Sequence, residues 1–273
     1  MSGRKAIFIT GGGSGIGRAI ALHFAKQDWF VGLGDVNDKG MEETEELISN
    51  GFTFSHHFDV REREAWDIAL RTFAIATGGR IDVVANNAGV PLAGGLADLT
   101  QNEIDRTLDI NLRGVIYGAQ AAYPWLKKTA PGSCLLNTAS AAALYGMPNQ
   151  SIYGATKAGV RSLTETLDAE WAREGIRVRD LMPSFIDTPL LSVPPNSARN
   201  VPIRQIVVDS GLEFTPVEVV AQNAWDAVHH SKKLHWVIGR TAKKMRFFAR
   251  WLPSRLHARG KKMEAKLEQR EGS

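Results

Sequence analysis

The chain has 273 residues, 44% hydrophobic and 23% charged, with a net charge of +4; this supports one large buried core and excludes a disordered chain. A single cysteine, Cys134, excludes an internal disulfide framework and suits the reducing cytoplasm. The apolar run at the N-terminus is too short for a signal peptide, and no apolar stretch is long enough to span a bilayer. The positive charge is local: residues 240–273 hold 11 Lys and Arg against 3 acids, and residues 1–239 hold 22 against 26. The body is therefore mildly acidic and no nucleic-acid partner is expected.

Short apolar runs alternate with longer helix-like stretches. Strands are predicted at Ala6 to Thr10, Phe30 to Gly34, Phe52 to His57, Ile81 to Asn86, Cys134 to Thr138, Arg177 to Met182 and His235 to Ile238. Helices are predicted at 15–27, 38–50, 61–77, 101–128, 151–174 and 215–231. This alternation implies an α/β fold, a parallel sheet of about seven strands with helices on both faces. Residues 1–239 read as one domain. Within it, the proline-rich stretch 187–214 reads as a partly helical lid or binding loop, and 240–273 as a basic helical extension.

The first strand runs into Thr10-Gly11-Gly12-Gly13-Ser14-Gly15-Ile16-Gly17 and then a helix. Such a turn brings backbone amides and a helix N-terminus to a pyrophosphate, as in a Rossmann-type doubly wound dinucleotide-binding fold, although the glycine register here is Gly11-x-x-x-Gly15-x-Gly17. The second strand ends at Asp35, where a carboxylate receives ribose hydroxyls and repels a 2′-phosphate. Neither Ser14 nor Val36 is basic, so NAD is expected rather than NADP. The alternatives are a purely structural turn and an Asp that caps the next helix.

Tyr153 and Lys157 lie four apart on a predicted helix face, with Ser140 upstream. An ammonium beside a phenol is expected to lower the Tyr pKa and make Tyr153 a general base for an alcohol or a general acid for a ketone.

Taken together, Thr10-Gly11-x-x-x-Gly15-x-Gly17, Asp59-Val60, Asn86-Asn87-Ala88-Gly89, Asn111, Ser140, Tyr153-x-x-x-Lys157 and Pro183 followed by Thr188 resemble the short-chain dehydrogenase/reductase family over residues 4 to 240. The resemblance implies that Asp59 and Val60 hold the adenine and that Asn87, Ala88 and Gly89 shape the fourth strand's end near the adenosine ribose. Ile186 and Thr188, after Pro183, would bind the nicotinamide carboxamide. Tyr153 would exchange the proton, Lys157 would lower its pKa and bind the nicotinamide ribose, and Ser140 would hydrogen-bond the substrate oxygen. Asn111 would hold a water joining Lys157 to solvent; its alternative is a buried amide tying backbone groups together. Where the family has Pro-Gly, this chain has Pro183-Ser184, and a β-carbon there is expected to tighten the space beside the nicotinamide. Homodimers or tetramers built on helices 101–128 and 151–174, which carry Trp125 and Trp171, are also implied.

The expected substrate side is apolar, with Ala142, Leu144, Tyr145, Phe185, Leu190 and Leu191 beside Ser140 and no Arg or Lys to clamp an acid. An apolar secondary alcohol or its ketone fits best. The rivals are a 3-oxoacyl thioester reductase of the same family and a catalytically silent NAD-binding scaffold. His56-His57 lacks a third ligand at metal spacing, so no metal is expected. In the tail, Phe248, Trp251 and Leu252 are read as one helical face among basic residues. Packing on a neighbouring subunit or over the substrate cleft is preferred to a helix lying on an anionic membrane.

Overall fold

The computed structural model describes residues 3–49, 51–198, 201–230 and 232–271, with side chains in the last helix described through Lys262. β1 Ala6–Thr10, β2 Phe30–Asp35, β3 Thr53–His57, β4 Val83–Asn86, β5 Cys134–Thr138, β6 Arg177–Pro183 and β7 His235–Ile238 form one sheet. Its order is β3-β2-β1-β4-β5-β6-β7 and every neighbouring pair is parallel. The chain moves outward from β1 to β3 and then returns to β4 on β1's other side. That reversal opens a crevice beyond the carboxyl ends of β1 and β4, the place where this architecture receives ligands.

The central strand β1 is buried at every position because alternate residues feed two different layers. Ile7 and Ile9 of β1 pack with Ile20 and Phe24 of α1 (Gly15–Lys26) and with Val220 and Ala224 of α8 (Val217–His229). Ala6 and Phe8 point the other way, towards Leu70 and Phe73 of α3 (Arg63–Ala76) and Ala122 and Leu126 of α5 (Gly114–Thr129). The remaining helices of the domain are α2 (Asp38–Glu46), α4 (Gln101–Leu108), α6 (Ser151–Glu170) and α7 (Ile203–Asp209).

Three local features differ from the sequence expectation. The segment read as one helix over 101–128 is α4, a π-turn at Asp109–Arg113, and α5. A capping box between Thr100 and Glu103 starts α4, and the wider turn at 109–113 re-aims the side chains that follow. Trp171, expected at a subunit interface, is buried in its own core against Tyr123, with ring centroids 5.0 Å apart. In the extension, α9 (Arg240–Trp251) and α10 (Pro253–Glu271) are separate helices. There Phe248, Trp251 and Leu252 are unequally covered. Ala242 and Met245 turn inward, Phe248 and Leu252 are half-buried, and Trp251 is 64% exposed. At 100° per residue, 242, 245 and 249 share one side of the helix while 243, 247, 250 and 251 share the other.

Candidate active site

Thr10 ends β1 at the crevice. Its Oγ1 accepts the N–H groups of Asn87 and Ala88 at 3.0 and 3.1 Å, and Asn87 Nδ2 donates back to the Thr10 carbonyl at 3.0 Å. Asn87 and Ala88 thus lock the end of β4 to the glycine turn. A β-carbon on Gly17 would sit 2.1 Å from the Gly11 carbonyl oxygen, so α1 can approach the turn this closely only with glycine there. Ser14 is the N-cap in extended conformation, but its side chain makes no capping bond and the first turn carries no acid. Ile16 packs on the core behind it. The first N–H groups of α1 therefore remain available to an anion, the donor set a pyrophosphate needs.

Asp35 closes the other side of the turn, accepting the Gly13 N–H at 2.9 Å and the Asn37 N–H at 3.1 Å. The cap of α2 is Asn37, which accepts from Gly40 N–H. Arg18, the cation beside the turn, is held in place. Its Nη2 donates to the Gly13 carbonyl at 2.6 Å, the Gly40 carbonyl at 3.2 Å and Glu43 at 2.9 Å, and its Nε donates to Thr44. In the loop after β3, Asp59 is engaged by Arg61, whose Nε and Nη2 donate to Oδ2 at 2.9 and 2.6 Å; this holds the carboxyl below its usual range. The buried Val60 accepts Trp66 Nε1 on its carbonyl.

Tyr153 and Lys157 project from the first two turns of α6, and Ser140 caps the short 3-10 turn that follows β5. The Tyr153 and Ser140 hydroxyls are hydrogen-bonded. Lys157 is 4% exposed, lies 5.8 Å from the Tyr153 ring centroid, and donates from Nζ to the Thr138 carbonyl at 2.8 Å. Burial pushes the Tyr153 pKa above 10 while the Ser140 bond pulls it down; burial also lowers Lys157 to about 8. Burial therefore sets the direction at Tyr153, and the Lys157 ammonium is directed to the Thr138 carbonyl.

Asn111 is fully buried in the π-turn. Its Oδ1 accepts the Val90 N–H at 2.8 Å and its Nδ2 donates to the Val90 carbonyl at 2.9 Å. The side chain ties backbone groups together and fixes the backbone after Gly89. A β-carbon on Gly89 would sit 3.2 Å from Asn111 Oδ1 and 3.6 Å from Lys157 Nζ, so this glycine lies between them.

At the far end of the crevice, Pro183 closes β6 and Ile186 makes a parallel bridge to Thr215. Thr188 comes within 3.2 Å of where a β-carbon on Gly15 would be, which joins this loop to the glycine turn. Ser184 follows Pro183 where the family has Gly. Its hydroxyl is buried without a hydrogen-bond partner, 2.2 Å from where a β-carbon on Gly239 would be, so it turns towards the end of β7. On the substrate side Ala142 is half-buried, Leu144 packs on Met182 and Val160, and Leu191 is buried. The half-buried Phe185 accepts the Thr215 N–H on its carbonyl. Two residues turn elsewhere: Leu190 is 39% exposed, and the Tyr145 hydroxyl donates to the Pro253 carbonyl at 3.5 Å, drawn to the tail. Thr138 and Val90 were missed as supports because both act through backbone groups, which residue type does not reveal.

A family model described as short chain dehydrogenase matches residues 5–196, and the chain belongs to that family. It is 33% identical over 222 residues to a 3-oxoacyl-[acyl-carrier-protein] reductase of Thermotoga maritima, covering 80% of this chain and 87% of that protein. Among solved structures it resembles levodione reductase, with a TM-score of 0.77 and 27% identity over 88% of this chain and 98% of that one. A 3-ketoacyl-(acyl-carrier-protein) reductase from Brucella melitensis complexed with NADH gives a TM-score of 0.73 and 28% identity over 83% of this chain and 91% of that one.

Proposed function

We propose that the protein is an NAD-dependent oxidoreductase that interconverts an apolar secondary alcohol and its ketone. The observation that carries this reading is the group formed by Tyr153, hydrogen-bonded to Ser140, and the buried Lys157, at the mouth of the crevice that the glycine turn opens. Bound NAD supplies the hydride acceptor. Gly11, Ser14, Gly15, Ile16 and Gly17 would seat its pyrophosphate, Asp35 its adenosine ribose, and Lys157 its second ribose. Pro183, Ile186 and Thr188 would border the nicotinamide. Asp59 and Val60 remain candidates for the adenine side, with Arg61 as Asp59's competing partner. Tyr153 Oη takes the alcohol proton or returns it to the ketone oxygen, and the Ser140 hydroxyl hydrogen-bonds that oxygen as charge develops.

NAD rather than NADP is supported by Asp35 and by Arg18, whose guanidinium is engaged by the turn and by Glu43 rather than turned towards a 2′-phosphate. The identity with a Thermotoga reductase keeps a 3-oxoacyl thioester as the second reading. Cytoplasmic location and a homo-oligomeric state belong to the same proposal. Asp35→Ala is expected to weaken NAD and to raise the ratio of NADP to NAD turnover by about tenfold or more, the equivalent of about 1.4 kcal/mol. An unchanged ratio would remove Asp35 from cofactor choice, and wild-type turnover confined to NADPH and oxoacyl thioesters would move the assignment to the second reading.

A further inference from the structure

Residues 240–262 contain nine Lys and Arg and no acid, and this charge is attached to a helix whose two sides behave differently. The inner side is anchored. Ala242 is buried, Met245 packs on the core beneath Ser140's turn, Leu256 of α10 is buried, and Gly260 lies against Pro148. The outer side of α9 carries Lys243, Phe247, Arg250 and Trp251 at helical spacing, with Lys244 beside them, all exposed. Phe247 and Trp251, one turn apart, are 55% and 64% exposed. Because the opposite side is held by the core, rotation of α9 cannot hide this aromatic pair.

We infer that this outer face docks on an anionic lipid bilayer. Cations around exposed Phe and Trp on one face of a helix are what an interfacial helix presents, the rings entering the headgroup boundary while the cations meet lipid phosphates. A second copy of the chain meeting this face with its own would oppose two acid-free cationic surfaces, which repel. A duplex nucleic acid would use the cations but has no need of a Phe and Trp pair on the same exposed stripe. The face adjoins the substrate side of the site through the contact of Tyr145 with Pro253, so a docked enzyme holds that side near the bilayer. The inference stands whichever substrate reading is correct.

The test is flotation of the full chain with vesicles of phosphatidylcholine alone and of phosphatidylcholine with about one-third phosphatidylglycerol, at about 0.1 M salt and at higher salt. The expected result is flotation only with the anionic vesicles, weakening as salt rises. Phe247→Ala with Trp251→Ala, and separately Lys243→Glu with Lys244→Glu, should each weaken binding roughly tenfold or more. NADH affinity and the circular dichroism spectrum should be unchanged in both. Equal flotation on neutral vesicles, no flotation, or binding that falls with salt but ignores the Phe247 and Trp251 substitutions would overturn the proposal. The last result would mark a general polyanion surface.

Discussion

Lys157 donates to the Thr138 carbonyl from a buried position, and burial lowers its pKa from 10.5 to about 8. The folded chain therefore releases this proton more readily than the unfolded chain does. The cost of burying the charge is present in full below about pH 8 and is relieved as pH rises towards 10.5, so this residue's contribution makes stability increase across that window. Lys157→Met is expected to be inactive yet more stable at pH 7 by about 1–3 kcal/mol, with the gain shrinking as pH approaches 10.5. Urea unfolding at both pH values checks this; a gain that does not change with pH would mean that the ammonium is compensated in the fold. The same burial raises Tyr153. The Ser140 hydroxyl opposes that rise.

Among the elements, the junction of β6 and β7 holds a matched pair. Gly239 has φ of +94°, and a β-carbon there would meet the Ser184 hydroxyl at 2.2 Å. Gly239→Ala is expected to destabilise the fold by about 2–4 kcal/mol through clash and positive-φ strain together. Adding Ser184→Gly should recover the part due to Ser184 and leave the part due to φ and to Thr215 Oγ1, which lies 2.7 Å from the same β-carbon position. Additive losses in thermal unfolding would show that the two residues do not compete for the same space. This pairing was not legible in the sequence, which marks Ser184 as a departure from Pro-Gly but does not place it against a glycine 55 residues away. Strands such as Ala6–Thr10 and Cys134–Thr138 were legible because burial on both faces leaves a short, mostly apolar run, and these two and His235–Ile238 have the predicted bounds. The break at Asp109–Arg113 was not, because a π-turn adds one residue per turn without any proline or glycine to announce it. The side-chain motifs at Gly11-Gly15-Gly17, Ser140, Tyr153 and Lys157 were legible as chemistry, whereas the pKa balance at Tyr153 depends on burial and appears only in the folded chain.

For the molecule as a whole, β7 is an edge strand held by a charged bridge as well as by its ladder. His235 on β7 meets the fully buried Asp180 of β6 at 2.9 Å through Nδ1 and Glu165 of α6 at 3.0 Å through Nε2. The hydrogen bond to Asp180 raises the His235 pKa above 6.5. Its contribution to stability is therefore full below about pH 6.5 and is lost as pH rises through the raised folded value. His235→Gln is expected to remove the part of the fall in melting temperature between about pH 6 and 8 that belongs to this bridge. A wild-type melting temperature that rises over that range in step with the variant's would contradict the assignment. No helix among the described residues is long and apolar enough to cross a membrane, and α9 and α10 complete the single sheet domain as a covering layer.

The central claim, hydride exchange with Tyr153 as the proton-transfer group, is tested most directly by turnover of a panel of apolar secondary alcohols and ketones with NAD and NADH, comparing wild type with Tyr153→Phe and titrating NADH binding in both. The expected result is turnover by the wild type, a loss of kcat in the variant of at least about 10²-fold, and NADH affinity that changes little. Near wild-type turnover by Tyr153→Phe, or tight NADH binding by a wild type that turns over no alcohol or ketone, would contradict it.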